Sequence, residues 1–221
     1  MINLPNVTLI AVSSIKIERT IRALEYSCRK INFGEVKFVT HADVNPKGIS
    51  VEKIPQIKSK DEFSKITVYD LPKYVDTDYC ILVQYDGFIV NPEQWTDEFL
   101  NYDWVGPLWT TGHNYFDKNG NQVRVGDGIS LRSKKLINLA SEVNIPWLPF
   151  TNNGQHGPGY WEDSWICVKN RHIYEENGCK FAPIDLAARW GRELHNPPIP
   201  ENEGITPFVF HGRKDPYMEL I

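Results

Sequence analysis

A carboxylate at the end of an apolar run offers the first candidate chemistry. Residues 79–83 form a short apolar segment that ends abruptly in Gln84, Tyr85, Asp86 and Gly87. In open parallel sheets, ligands bind beyond the carboxyl ends of the strands, so Asp86 would face a cleft. One carboxylate together with a diphosphate is a usual way to hold Mg²⁺ or Mn²⁺. An ordinary turn after a strand would also explain Asp86 and Gly87.

Two adjacent acids, Glu162 and Asp163, begin a predicted helix and are candidates for general-base catalysis. A hydroxyl that acts as a nucleophile needs a carboxylate close enough to take its proton. The glycine-rich and aromatic residues 152–161 resemble a loop that faces a substrate. Acids in a first helical turn also offset the helix dipole, so position alone does not decide between these roles.

A third candidate follows residues 208–210, which form another short apolar segment. His211 could supply an imidazole ligand, and Arg213 and Lys214 could supply positive charge for phosphates. A single histidine is more often a surface or core residue than a ligand. The interpretation therefore depends on Asp86 and His211 meeting across one cleft.

The first half of the chain predicts strands that alternate with helices. Apolar runs predict strands at residues 7–12, 36–40 and 79–83. Helical patterns lie between them, and residues 41–59 are predicted to form a loop. This order is typical of a parallel sheet with helical crossovers.

Two helices are predicted in this half. The first carries apolar residues at steps of three and four and is expected to end at Gly34; those residues are Ile17, Ile21, Leu24, Cys28 and Ile31. The second covers residues 61–75, with Asp61 near its N-cap and Pro72 interrupting it or ending it early.

The second half is less regular. Its predicted strands lie at residues 103–106, 127–131 and 208–210, and its predicted helices at residues 92–101, 133–143 and 162–177. Ser133 is the expected cap of the second of these helices, and Gly178 is expected to close the third.

The composition is that of an ordinary soluble globular domain. The 221 residues, 41% hydrophobic and 24% charged, suit a single domain. A net charge of −4 argues against binding nucleic acid through a basic face. Four scattered cysteines predict reduced thiols and a cytoplasmic location. No segment approaches the ~20 apolar residues that cross a bilayer, and residues 1–14 predict a strand rather than a signal peptide.

Four motifs, taken in order, resemble those of the GT-A-fold glycosyltransferases. They are QYDG at residues 84–87, GDGISLRS at 126–133, ED at 162–163 and FHG at 210–212. More narrowly, the chain is similar to a family of transferases associated with bacterial surface glycans and large-virus glycosylation. The resemblance covers nearly the whole chain. It implies one α/β domain with a Rossmann-related, mostly parallel central sheet and helices on both faces. Residues 1–92 would bind the nucleotide sugar and residues 93–221 the acceptor.

The resemblance also implies roles for individual residues. Asp86 takes the place of the last acid of the DxD motif, which holds Mn²⁺ or Mg²⁺, and His211 matches the histidine that completes this metal site. Asp163, preceded by Glu162, matches the catalytic base of inverting members. The residues implied in binding the donor are Ala11, Val12, Ser13, Lys65, Gln84, Tyr85, Asp127, Gly128, Arg213 and Lys214. Gln84 replaces the first acid of DxD, which should weaken metal binding, although its amide can still hydrogen-bond a ribose.

The activity implied is metal-assisted transfer of a sugar, with inversion, from a nucleotide sugar to a glycan or other hydroxyl acceptor. UDP-hexose is the expected donor. A sugar-nucleotide nucleotidyltransferase is an alternative, although residues 13–16 do not form the glycine-rich loop such enzymes carry. A non-catalytic carbohydrate-binding domain is another, since the chain has seven tryptophans and carries Gln84. Glu162 and Asp163 are adjacent and cannot flank a bond at the ~5–9 Å that a glycoside hydrolase needs.

Overall fold

The computed structural model describes residues 1–126, 128–148, 161–193 and 198–221. These residues form a single mixed α/β domain around a six-stranded sheet. The strands are β1 (Ile2–Val12), β2 (Ile31–Thr40), β3 (Ser50–Lys53), β4 (Tyr79–Val83), β5 (Gly87–Ile89), β6 (Trp104–Val105), β7 (Ser130–Ser133), β8 (Gly191–Glu193) and β9 (Val209–His211). The helices are α1 (Ile17–Ser27), α2 (Lys60–Lys65), α3 (Lys134–Glu142), α4 (Glu162–Ser164), α5 (Arg171–Glu176) and α6 (Ile184–Trp190). No helix in these ranges has the length and apolar character that crossing a membrane requires.

The central sheet is mostly parallel, with the strand order β3-β2-β1-β4-β7-β6. β1 pairs in parallel with β2 and β4, and β2 pairs in parallel with β3. β7 is antiparallel to both β4 and β6. The predicted alternation of parallel strands and helices in the first half is confirmed. The carboxyl ends of β1 and β4 therefore meet at one edge, where ligands bind in sheets of this kind.

A second, three-stranded sheet extends this edge. Its order is β5-β9-β8, with β9 antiparallel to β5 and parallel to β8. β5 begins directly after the turn that follows β4, and Gly87 lies opposite His211 in the β5–β9 register. The small sheet thus brings residues near the end of the sequence next to the end of β4.

The first helix ends earlier than predicted. α1 ends at Ser27, and Ile31 is the first residue of β2 rather than part of the helix. Lys30 has a φ of 62°, a left-handed conformation that breaks the helix. Gly34 does not end the helix but lies within β2, where a side chain would collide with the carbonyl of Pro5 in β1.

The second helix is capped by Ser59, and Asp61 lies in its first turn, near the N-cap as predicted. The Ser59 hydroxyl accepts a hydrogen bond from the N–H of Glu62 at 3.1 Å, whereas Asp61 pairs with Lys65 at 2.8 Å. Beyond α2 the helical path continues through a π-helical turn at Ile66–Asp70 and a 3₁₀ turn at Leu71–Tyr74. Pro72 is the second residue of that 3₁₀ turn, so the helical path changes type at the proline, in agreement with the predicted interruption.

The helix prediction after β7 was accurate at its start. The hydroxyl of Ser133 accepts from the N–H of Leu136, which confirms it as the cap of α3. The predicted helix over residues 162–177 is instead divided, because a π-helical turn at Trp165–Lys169 separates α4 from α5.

Several short elements differ from the predictions. The predicted loop at 41–59 contains β3, and the predicted helix at 92–101 is two 3₁₀ turns. The strand predicted at 127–131 begins only at Ser130. β5, β8 and α6 were not predicted. Elements of three to seven residues contain too few positions to show a periodicity.

Candidate active site

A cavity of about 510 Å³ opens at the edge where the carboxyl ends of β1 and β4 meet. Its walls come from the end of β1, the segment that leads into α2, the turn after β4, the start of α4 and the residues after β9. Both halves of the chain therefore contribute to one space.

A tight turn carries the first candidate residues into this cavity. The N–H of Gln84 donates to the carbonyl of Gly87 at 2.8 Å, and the N–H of Gly87 donates back at 3.2 Å. A side chain at position 87 would come within 2.5 Å of Ile129 and 2.9 Å of the His211 ring. Glycine is therefore required here, and the turn presents Tyr85 and Asp86 at the cavity wall.

Asp86 and His211 lie next to each other. The His211 Nε2 is 4.0 Å from the Asp86 Oδ1, although the two residues come from distant parts of the chain. The backbone holds them together, because Gly87 pairs with His211 and the N–H of Gly212 donates to the carbonyl of Asp86 at 2.8 Å. The other ring nitrogen, Nδ1, faces the Glu193 carboxylate at 3.6 Å, which directs Nε2 toward Asp86.

The two carboxylate oxygens of Asp86 have different surroundings. Oδ2 accepts a hydrogen bond from the Nε of Arg213 at 3.0 Å. Oδ1 is buried and has no hydrogen-bond partner among the described residues. A buried polar atom of this kind indicates a missing water, ion or ligand.

Arg213 is exposed and lies above the aromatic ring of Tyr85, with 5.6 Å between the guanidinium carbon and the ring centre. Its hydrogen bond to Asp86 raises the pKa of the guanidinium above the ordinary value. Burial, followed by the nearby Asp86 charge, raises the pKa of the Tyr85 phenol. The Tyr85 side chain is therefore a neutral hydroxyl at the cavity wall near pH 7.

A buried ion pair lies behind the start of α4. Arg132 on β7 is 0% exposed, and its terminal nitrogen lies 3.3 Å from the carboxylate of Glu162, which is 2% exposed. Arg132 also donates to the Ser130 hydroxyl at 2.9 Å and to the Thr67 carbonyl at 3.3 Å, and its guanidinium lies over the Trp104 ring. This pair anchors the start of α4 to the central sheet.

Asp163 follows directly on this anchor and lines the cavity. Its Oδ1 accepts from the N–H of Ser164 at 2.6 Å, which orients the carboxylate. Next to it, the Trp161 ring lies against Lys60 at the start of α2, with the ammonium 4.1 Å from the ring centre. A carboxylate that is oriented in this way and lines the cavity is suited to act as a base toward an incoming hydroxyl.

The end of β1 forms the floor near α2. Val12 and Ser13 line the cavity, and the next residue, Ser14, accepts from the N–H of Ile57 at 2.9 Å. That hydrogen bond fixes the segment before α2 to the end of β1. Ala11 is fully buried opposite Val83 within the sheet and does not reach the cavity.

The structure brings most of the predicted site residues into the one cavity. Those that line it are Val12, Ser13, Gln84, Tyr85, Asp86, Gly128, Glu162, Asp163, His211 and Arg213. Ala11, Lys65 and Lys214 are not among its lining residues in the described part of the chain. Lys65 instead pairs with Asp61. Asp127 and residues 152–160 of the predicted substrate-facing loop lie outside the described residues.

Sequence reasoning missed a wall of the cavity and the buried arginine. The missed lining residues include Ile57, Lys58, Ser59, Lys60 and Phe63. A signal for their position existed, because Ser59 and Glu62 have the spacing of a capping box and so mark a helix start. No comparable signal pointed to Arg132, since an arginine in a strand ordinarily indicates an exposed position.

The fit of this site to a divalent cation rests on two side chains. Asp86 offers a buried oxygen without a hydrogen bond, and His211 offers a ring nitrogen 4.0 Å from that oxygen. The described residues contain no cluster of three or more His, Cys, Asp or Glu side chains arranged for a metal. Two protein ligands suit Mg²⁺ or Mn²⁺ when phosphate oxygens complete the coordination.

The chain was compared with curated proteins, solved structures and protein-family models. A search of the curated proteins gave no match. The crystal structure of a glycosyltransferase involved in the glycosylation of the major capsid of PBCV-1 matches with a TM-score of 0.53. The alignment covers 97% of this chain and 99% of that chain at 12% identity, so the two share a fold. The model of the family described as "Protein of unknown function (DUF5672)" matches residues 48–211, most of the chain, and the chain therefore belongs to this family.

Proposed function

We propose that this protein is a glycosyltransferase that moves a sugar from a nucleotide-sugar donor to a hydroxyl acceptor. The observation that carries the proposal is the meeting of Asp86 and His211, 4.0 Å apart, at the wall of a 510 Å³ cavity. The cavity lies at the carboxyl edge of a sheet, where nucleotides bind in α/β folds. The fold shared with a glycosyltransferase supports the same proposal.

The departing nucleoside diphosphate is the group that most needs electrostatic help. Arg213 can donate to phosphate oxygens from the cavity wall, and His211 can contribute a further donor or ligand. A Mn²⁺ or Mg²⁺ ion held by Asp86 and His211 would supply additional positive charge against the diphosphate. The amide of Gln84 remains available for a ribose hydroxyl.

Asp163 is the proposed general base. Its carboxylate is oriented by the Ser164 N–H and lines the same cavity as the Asp86 turn. A base on the wall opposite the diphosphate would take the acceptor proton as the new bond forms, giving inversion in one displacement. Glu162, buried against Arg132, positions this carboxylate rather than acting on the substrate itself.

The proposal extends to the donor and to the location of the protein. UDP-hexose is the first donor to test, with a glycan hydroxyl as acceptor. The four cysteines are all free thiols in the structure. Free thiols are usual where the environment is reducing, and we therefore propose that the protein acts in the cytoplasm.

A panel of nucleotide sugars with Mn²⁺ tests the proposal. A ligand present at 100 times its dissociation constant adds about 2.7 kcal/mol to the free energy of unfolding, which raises the melting temperature measurably. The stabilising donor should then release free nucleotide slowly, and faster once a suitable acceptor is added. Release of pyrophosphate would indicate a nucleotidyltransferase, and binding without any release would indicate a non-catalytic domain. A panel in which no nucleotide sugar stabilises the protein contradicts the proposal.

A further inference from the structure

Arg213 is hydrogen-bonded to the Asp86 carboxylate, which is the proposed ligand of a divalent cation. Arg213 donates from Nε to the Asp86 Oδ2 at 3.0 Å. On the other side of the same carboxylate, Oδ1 is buried without a hydrogen bond in the described chain and faces the His211 Nε2 at 4.0 Å. One oxygen of the Asp86 carboxylate is thus hydrogen-bonded to Arg213, and the other is without a hydrogen bond from the described residues.

The partners of this carboxylate differ in their freedom to move. Asp86 and His211 are fixed by backbone hydrogen bonds and by the close packing around Gly87. The Arg213 side chain is 74% exposed. Water can solvate the guanidinium once it leaves, whereas the Asp86 side chain is only 7% exposed and needs another positive charge in its place.

Two cations on one carboxylate disfavour each other. A divalent cation bound at Asp86 and His211 and the Arg213 guanidinium would be like charges a few ångströms apart, and they would compete for the same negative charge. A diphosphate offers the guanidinium a second anionic partner, with oxygens that suit its paired donors. The donor would therefore relieve the competition.

We propose that Arg213 holds Asp86 in the donor-free protein and transfers to the donor diphosphate when a divalent cation binds at Asp86 and His211. This inference rests on the proposed function, since it requires a diphosphate ligand. This transfer makes the binding of cation and donor cooperative. Without the donor, Arg213 lowers the affinity for the cation, and with the cation bound, Arg213 is available to bind the donor diphosphate. By linkage, each ligand raises the affinity of the other by the same factor.

Binding of Mn²⁺ to the whole chain, measured by titration calorimetry without nucleotide and again with saturating UDP, tests the transfer. Arg213→Met removes the guanidinium and should bind Mn²⁺ alone about two- to fivefold more tightly than the unaltered protein. In the presence of saturating UDP, where Arg213 has moved to the diphosphate, the same variant should bind Mn²⁺ with nearly the affinity of the unaltered protein. The effect of the substitution should therefore be largest without the donor and should nearly disappear with it.

Lys214→Met is the matched control, because it removes one positive charge from the next residue without removing the hydrogen bond to Asp86. Equal changes in Mn²⁺ affinity for the two variants would reduce the effect to long-range charge and overturn the inference. Weaker Mn²⁺ binding by Arg213→Met without UDP, or no Mn²⁺ binding by any form, would also overturn it. Neither result decides the transferase activity, which nucleotide release from the sugar panel measures separately.

Discussion

Each of two walls of the cavity has an acid bonded to an arginine, and the two pairs differ in exposure. On the β9 side, defined by Asp86, His211 and Arg213, the arginine is largely exposed. On the α4 side, defined by Arg132, Glu162 and Asp163, the arginine and its partner Glu162 are buried. The distances are similar, 3.0 Å and 3.3 Å. Burial, and not the residue types, separates a pair that can exchange partners from one that must stay intact.

The buried pair is costly to break for a physical reason. Removing one partner leaves the other charge in a low-dielectric interior without compensation. Arg132 also satisfies the Thr67 carbonyl and the Ser130 hydroxyl, so its loss would affect the sheet as well as α4. Arg213 has solvent as an alternative partner, and the Asp86 carboxylate it would leave still has His211 beside it.

Arg132→Met should give the largest effect. We expect a loss of about 3–5 kcal/mol in the free energy of unfolding, because Glu162 is left as an unpaired buried charge. Urea unfolding followed by circular dichroism measures it. Arg213→Met is the matched control on the β9 side and should cost less, because the guanidinium is exposed and Asp86 keeps His211 beside it. Adding Glu162→Gln to Arg132→Met should recover part of the loss. Equal losses for the two arginine variants would contradict the distinction between the walls.

Asp163→Asn should lower turnover without changing donor affinity, and so distinguish the α4 side from the β9 side. We expect turnover to fall about 10²–10⁴-fold, because the amide cannot accept the acceptor proton. Donor affinity should remain nearly unchanged, since the proposed diphosphate contacts lie on the β9 side. Steady-state kinetics and calorimetry report the two quantities. Asp185, also an acid in the first turn of a helix, provides the control, and Asp185→Asn should retain activity. Normal turnover in Asp163→Asn would remove this residue from the role of base.

Asp86→Ala should affect the β9 side alone. It removes the carboxylate of the proposed metal pair, and we expect donor affinity in the presence of Mn²⁺ to fall at least about tenfold, the lower limit for disturbing groups around a metal. Without Mn²⁺ the loss should be smaller. Calorimetry with and without the ion gives both values. A loss independent of Mn²⁺ would point to direct contact between Asp86 and the donor.

The contact between the α4 side and the start of α2 should give the smallest effect. The Lys60 ammonium lies over the Trp161 ring, and an exposed cation–π contact contributes about 0.5–1 kcal/mol. A double-mutant cycle with Lys60→Ala and Trp161→Ala, measured by urea unfolding, isolates this coupling. A coupling energy near zero would show that this contact does not stabilise the fold.

The parallel half of the sheet could be predicted because its strands are buried on both faces. β1, β2 and β4 contain continuous apolar runs, which are readable without knowledge of the fold. The position of Asp86 follows from the same reasoning, since it comes directly after such a run. The sequence also raised His211 as a possible partner of Asp86, and the observed β5–β9 pairing brings the two together.

What could not be predicted depends on contacts between distant residues. β5 is three residues long and joins the small sheet only through its pairing with β9, so its own sequence carries no periodic pattern. The apolar run at residues 208–210 predicted β9 but not the strand it pairs with. Arg132 is buried because Glu162, Trp104 and Thr67 surround it, and those neighbours are separated from it in sequence. The predicted continuation of the first helix to Ile31 was wrong because the three- and four-residue spacing continued by coincidence into β2.

The β5–β9 pairing makes the β9 side depend on a second, small sheet. Phe88, Val209 and Phe210 of these strands are buried in the same core as the central sheet, so packing as well as hydrogen bonding holds β9 in place. Detachment of β9 would take His211 and Arg213 away from Asp86 in a single event. A ligand that bridges Asp86 and His211 would therefore stabilise the last strand of the protein.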